Sequence, residues 1–177
     1  HARFDKVALH LRTGTSRMMI SRLRDGTLDF AVALVSKQSD TTDLSVTTLY
    51  PSDPVIVCRR GHPKASANSL AELAGCTWVA TPSPGRVGDA RSNRLADLFI
   101  EHGLAPRKVI ATVEGLFEAL HLVTQTDCLS LEPSILTQVG LFAHALAAIP
   151  VGERAKRQDV CLRQRGWVPL TPRAQQL

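Results

Sequence analysis

Residues 14–35, GTSRMMISRLRDGTLDFAVALV, decide how this chain is read. A hydroxyl-rich turn, Gly14-Thr15-Ser16, leads into a basic amphipathic run that stops at Asp25-Gly26, and residues 28–35 are then almost unbroken apolar. Met19, Ile20 and Leu23 recur at three- and four-residue spacing, so they share the face of a helix that would lie on a sheet. Gly26 stands just past the helix end, where a left-handed residue is favoured because there is no Cβ to clash. Residues 28–35 lack polar alternation, as a strand covered on both faces does. Such strand-helix-strand units build a parallel sheet, and ligands gather at the carboxyl ends of its strands. The helix N-terminus, with unsatisfied N–H groups and the positive end of its dipole, lies at that same edge.

A chain of 177 residues can bury a real core as one domain or two small ones. Its 44% apolar and 21% charged residues are ordinary for a globular protein. No apolar run approaches the roughly 18 residues of a membrane span, and no signal peptide is visible. The net charge of +5 suits an anionic partner. Lys and Arg are scattered and aromatics few, however, which argues against a nucleic-acid face within this stretch. Cys58, Cys76, Cys128 and Cys161 are far apart with no C-x-x-C pair, so reduced thiols in a cytoplasmic protein are expected rather than a disulfide framework. The histidines have no metal-ligand spacing, and no metal or cofactor is expected.

Along the chain, residues 7–11 read as a strand, and residues 44–50 and 54–59 as two strands divided by Pro51-Ser52-Asp53-Pro54. Ser69 and Glu72 have the spacing of a capping box for a short helix. Residues 76–81 read as a strand, 91–102 as a helix stopped by Gly103, 108–113 as a strand, and 116–123 as a helix. Residues 128–133 are a strand stopped by Pro133, and 135–141 continue helically. Two late strands follow at 145–151 and 159–165, and Thr171-Pro172 opens a last helix. This order is α/β architecture. The break near Pro51 and the strand near Ile149 read as two crossings between lobes, one made of residues 1–52 with 150–177 and the other of 53–149.

The ordered pieces LRDGTLDFAVAL, LSVTTLYPSDPVIVCRRGHPKA, SLAELAGCTWVAT, LFIEHGLAPRKVIATVEG, LHLVTQTDCLSLEP and LTPRAQQL cover nearly the whole chain. Together they resemble the effector-binding domain of LysR-type transcriptional regulators, closest in character to members that sense aromatic or sulfonated organic acids. The resemblance implies two Rossmann-like lobes of the type II periplasmic-binding-protein-like fold with a small effector between them. It also implies dimers or tetramers, and an N-terminal winged helix-turn-helix that binds DNA and is absent from this chain. The family's first strand and helix would precede Val7. Glu132 departs from the family, which usually has an apolar residue before that proline.

Thr15 and Ser16 match the family's effector-contacting turn, and hydroxyls beside free N–H groups suit a carboxylate or sulfonate. The same residue types also serve simply as helix caps. Across the cleft, Pro82, Ser83 and Arg86 would form the opposite wall, with Arg86 as the planar partner of an anion. Gly115 and Leu116 follow a strand and open a helix, so they are further contacts, as is Ser36 at the end of the first lobe's strand. Glu132 is either a solvated strand-end charge or a cleft group that selects among anions. There is no G-x-S-x-G elbow, P-loop or H-E-x-x-H, and nothing places a base beside a nucleophile, so no catalysis is expected. A solute-binding transport receptor of the same fold is the main alternative, and a prephenate- or porphobilinogen-type enzyme on this fold the second.

Overall fold

The structure is a computed structural model. It describes residues 8, 10–14, 16–35, 42–81, 94–105 and 108–167, with backbone alone for Ser16, Arg17 and Val35. Helix α1 (Ser16–Arg24) packs Met19 and Leu23 against Ala31 of strand β1 (Phe30–Val35) and Leu44 of strand β2 (Leu44–Ser52). Its end is built as the spacing requires: Gly26 has φ 81° and its N–H donates to the Leu23 carbonyl. Arg165 closes that end from the sheet. Its Nη1 donates to the carbonyls of Leu23 at 2.8 Å and Leu28 at 3.0 Å, tying the last turn of the helix to the start of the chain that follows it.

The first sheet has the order β1-β8-β2, where β8 is Gln158–Arg165 and is antiparallel to both neighbours. The parallel pairing expected here is therefore replaced among the described strands, because the late strand returns between β1 and β2. Double cover of residues 28–35 is also corrected. Ala31 on the α1 side is buried, whereas Val32 on the other face is 54% exposed. The strand expected at residues 7–11 is not formed at Ala8, His10 or Leu11, and Leu11 is 90% exposed. Apolar alternation makes a strand only where a neighbouring strand and a face to bury are supplied.

The second sheet has the order β5-β4-β6-β3-β7. Its strands are β3 (Pro54–Arg59), β4 (Thr77–Ala80), β5 (Val109–Thr112), β6 (Cys128–Pro133) and β7 (Leu146–Ile149). β4 runs parallel to β5 and β6, while β3 is antiparallel to β6 and β7. Helix α2 (Arg94–Glu101) buries Leu95, Leu98 and Phe99 against Ile56, Trp78, Leu129 and Leu131, with Phe99 edge-on to Trp78 at 5.4 Å. Helix α3 (Leu116–Gln125) closes the other face through Ala119, Leu120 and Val123.

Only Asp53 separates β2 from β3. β2 runs on through Pro51, which a sheet tolerates because β2 is an edge strand and needs no N–H on its outer side. The second passage, residues 150–157, is fastened to the second sheet's layer. Gly152 N–H donates to the Asn68 carbonyl, the Glu153 carboxylate accepts from Leu70 N–H, and Lys156 pairs with Glu101. Arg157 reaches Asp53 at 3.2 Å, so the two passages touch. Elsewhere Glu72 accepts from the Asn68 N–H and the Ser69 hydroxyl, but the short helix expected there is a single 3-10 turn, Ala71–Leu73, whose N-cap is Leu70 rather than Ser69. The helix expected over 135–141 is only the 3-10 turn Ser134–Thr137, and Gly140 at φ 89° turns the chain away. The expected last helix lies outside the described residues.

Arg165→Met should destabilise the domain by about 1.5–3 kcal/mol, because two carbonyls lose a charged donor. Arg157→Ala, which removes an ion pair whose side chains are 60% and 62% exposed, should cost at most about 1 kcal/mol. Denaturant unfolding measures both, and equal losses would contradict the capping role of Arg165.

Candidate functional site

Strands β4, β5 and β6 run parallel and end at Ala80, Thr112 and Pro133, which makes one carboxyl edge. Val113 N–H donates to the Ala80 carbonyl at 3.0 Å, so the turn into α3 hugs the end of β4. Gly115 is the N-cap of α3, with φ −106° and ψ 145°, and Leu116 is its first helical residue, 37% exposed. Glu118, at the third helical position, folds its carboxylate back over Gly115, where a Cβ would collide with it. The positive end of α3 thus already faces an anion belonging to the chain.

The polar centre of the edge lies on β6. Leu129 and Leu131 face the α2 core, while Ser130 and Glu132 alternate onto the other face, opposite Val57 and Val55. Ser130 is 1% exposed and Glu132 3%, and the Ser130 hydroxyl donates to Glu132 Oε1 at 2.7 Å. Burial raises the Glu132 pKa to about 7, against smaller downward pulls from the Ser130 hydroxyl and the Arg94 charge. Arg94, half-buried at the start of α2, has its own pKa lowered by burial and partly restored by Glu132. Beside them is a cavity of about 10 Å³, lined by Ala80, Thr81, Arg94, Ser130 and Leu131 among others.

Of the residues singled out in the sequence, Gly115 and Leu116 stand at this edge, and Ser16 begins α1 at the first sheet. The Ser16 side chain, Thr15, Ser36, Pro82, Ser83 and Arg86 lie outside the described residues; Thr81, at the cavity, directly precedes Pro82 in sequence. Glu132 is buried, which removes its reading as a solvated strand-end charge. Arg94 and Ser130 were missed. The available signal was the alternation of Ser130 and Glu132 inside the apolar CLSLEP. Arg163 was missed too: 1% exposed on the α1 face of β8, it donates to the Leu34 carbonyl at 3.3 Å while its Nε has no partner among the described residues. Burial lowers its pKa. At the first passage, Ser52 and Gln158 pair across the sheet, and Ser52 Oγ and Gln158 Oε1 are buried without partners among the described residues. Among the described residues no cluster of His, Cys, Asp and Glu could hold a metal, no helix is long and apolar enough to cross a membrane, and the four cysteines are free.

The buried Glu132 ties stability to pH with a definite sign. Its folded pKa of about 7 lies above the ordinary 4.5, so the folded state binds the proton more tightly than the unfolded state does. Relative to Glu132→Gln, wild-type stability should be fully retained below pH 4.5 and fall by about 3 kcal/mol as the pH rises through 7. Urea unfolding of both proteins across that range reads this difference directly. Parallel stability curves would contradict a buried, shifted carboxyl.

Residues 1–177 match the LysR substrate binding domain. The chain is 26% identical over 144 residues to the HTH-type transcriptional regulator GbpR of Azospirillum brasilense, a match that covers 79% of this chain and 41% of that protein. The chain therefore spans well under half of that relative's length. In structure it is similar to the Synechocystis PCC6803 CcmR regulatory domain in complex with 2-PG, with a TM-score of 0.73, 13% identity, and coverage of 99% of this chain and 82% of that one. It is also similar to the effector binding domain of QuiR in complex with shikimate, with a TM-score of 0.68, 20% identity, and coverage of 92% and 74%. These likenesses show the type II periplasmic-binding-protein-like fold, with two sheets as described above. The chain belongs to the LysR substrate binding domain family.

Proposed function

We propose that this domain is the ligand-sensing part of a DNA-binding transcriptional regulator and that it binds a small organic acid between two lobes. Residues 1–52 with 150–177 form one lobe and 53–149 the other, with the 150–157 passage lying along the second. The observation that carries the reading is the junction between the sheets. The chain passes through it at Asp53 and again through residues 150–157, and buried Ser52 and Gln158 oxygens there lack partners among the described residues. Such atoms are costly unless something hydrogen-bonds to them, and a ligand held between lobes supplies such partners.

Thr15, Ser16 and the free N–H groups of α1 meet the anionic end of the effector. Ser36, Pro82, Ser83, Arg86, Gly115 and Leu116 form the remaining walls. Ligand binding favours one closure of the lobes, and that difference in affinity between conformations is what an attached DNA-binding domain reads. No catalytic residue, cofactor or metal takes part. The protein acts in the cytoplasm as a homodimer or tetramer, and DNA is contacted through a winged helix-turn-helix outside this chain. The regulator name of GbpR and the shikimate bound to the QuiR domain support this reading.

Charge-assisted hydrogen bonds are worth roughly 1.5–3 kcal/mol each, so Thr15→Val with Ser16→Ala should weaken binding about tenfold or more. Capping alone would instead cost about 1 kcal/mol of stability and leave affinity unchanged. Calorimetric titration of the full-length protein and the double variant with carboxylates from benzoate to shikimate separates the two. Lowered stability with unchanged affinity would overturn the assignment of Thr15 and Ser16.

A further inference from the structure

We propose that Arg94 and Ser130, with Glu132 behind them, form a subsite for a hydroxyl group, so that the effector is a hydroxylated organic acid. This deepens the organic-acid reading above and rests on it.

The cavity at the end of β4 and β6 has room for about one water, and a hydroxyl is the ligand group of that size. Its polar lining is complementary to a hydroxyl in both senses. The Ser130 hydroxyl donates a hydrogen bond to Glu132 Oε1 at 2.7 Å, so its oxygen offers acceptor lone pairs to the cavity. Arg94 carries donors and no acceptor, and no hydrogen bond or ion pair engages it among the described residues. A group that donates to one and accepts from the other satisfies both.

The rest of the lining selects against other chemistries. A methyl group would offer no donor to the Ser130 oxygen and no acceptor to Arg94, which is unfavourable. A carboxylate exceeds one water in size and does not fit the cavity. Glu132 itself is 3% exposed and does not touch the ligand; it positions the Ser130 hydroxyl by fixing where its proton goes. The subsite stands beside Thr81, on the same edge as Gly115 and Leu116.

The test is calorimetric titration of the full-length protein with paired acids, benzoate with 3,4-dihydroxybenzoate and cyclohexene-1-carboxylate with shikimate. Wild type should bind the hydroxylated member of at least one pair about tenfold more tightly, since a site built for a hydroxyl rejects the analogue that lacks it. Ser130→Ala and Glu132→Leu should each bring that preference to within about threefold. Their affinity for the unhydroxylated acid and their thermal unfolding serve as controls for folding; Glu132→Leu places an apolar side chain among Val55 and its neighbours. No preference in wild type, or a preference that survives both variants, overturns the subsite alone. Failure of wild type to bind either member of either pair overturns the organic-acid reading and the subsite together.

Discussion

The chain changes sheets at Asp53 with no loop to absorb the change, and the rest of the architecture follows from that constraint. β2 must end as an edge strand of one sheet where β3 begins as an inner strand of the other. The return passage must come back beside it, because β8 pairs with β2 up to Ser52–Gln158. The Arg157–Asp53 ion pair marks the meeting of the two passages. It is too exposed to hold the sheets in place; the backbone connections do that.

The second constraint is the alternation of side chains along β6. Each strand has only two faces, so a polar residue at every second position collects on one of them. Ser130 and Glu132 fall on the face opposite the Trp78–Phe99 core, near the strand end, where Arg94 and Thr81 can share the same small space. Burial makes the Glu132 proton hard to lose, and it also makes any unmatched polar group there costly. The same low-polarity surroundings that shift the carboxyl therefore sharpen what the cavity accepts.

Much of this was legible in the residues, and the parts that were not have physical causes. The end of α1 was readable because Gly26 and the Met19–Leu23 stripe are local signals with a single good solution. The direction of strand pairing in the first sheet was not, since β8 lies more than a hundred residues from β1 and nothing local in FAVALV records which neighbour it will have. Exposure of Val32 was hidden for the same reason: an apolar side chain does not reveal whether its face is covered. At the site, Gly115 and Leu116 were found from the strand-to-helix transition. Arg94 was passed over because an arginine at a helix start looks like any solvated charge until β6 is placed beside it. Arg163 had a weak signal, a charge amid VCLRQR, whose burial depends on α1 and β1 packing over it.

The central claim is that a small acid is held between the two lobes, at the carboxyl edge of β4, β5 and β6 and the start of α1. Amide hydrogen exchange of the full-length protein, with and without the tightest-binding acid from the paired titrations, tests it most directly. The account predicts slowed exchange at the start of α1, at residues 79–81, at 113–117 and at 130–133, and in the two passages at Asp53 and residues 150–157. Protection confined to the open face of the first sheet around Val32 and Tyr50, with those segments unchanged, would contradict it.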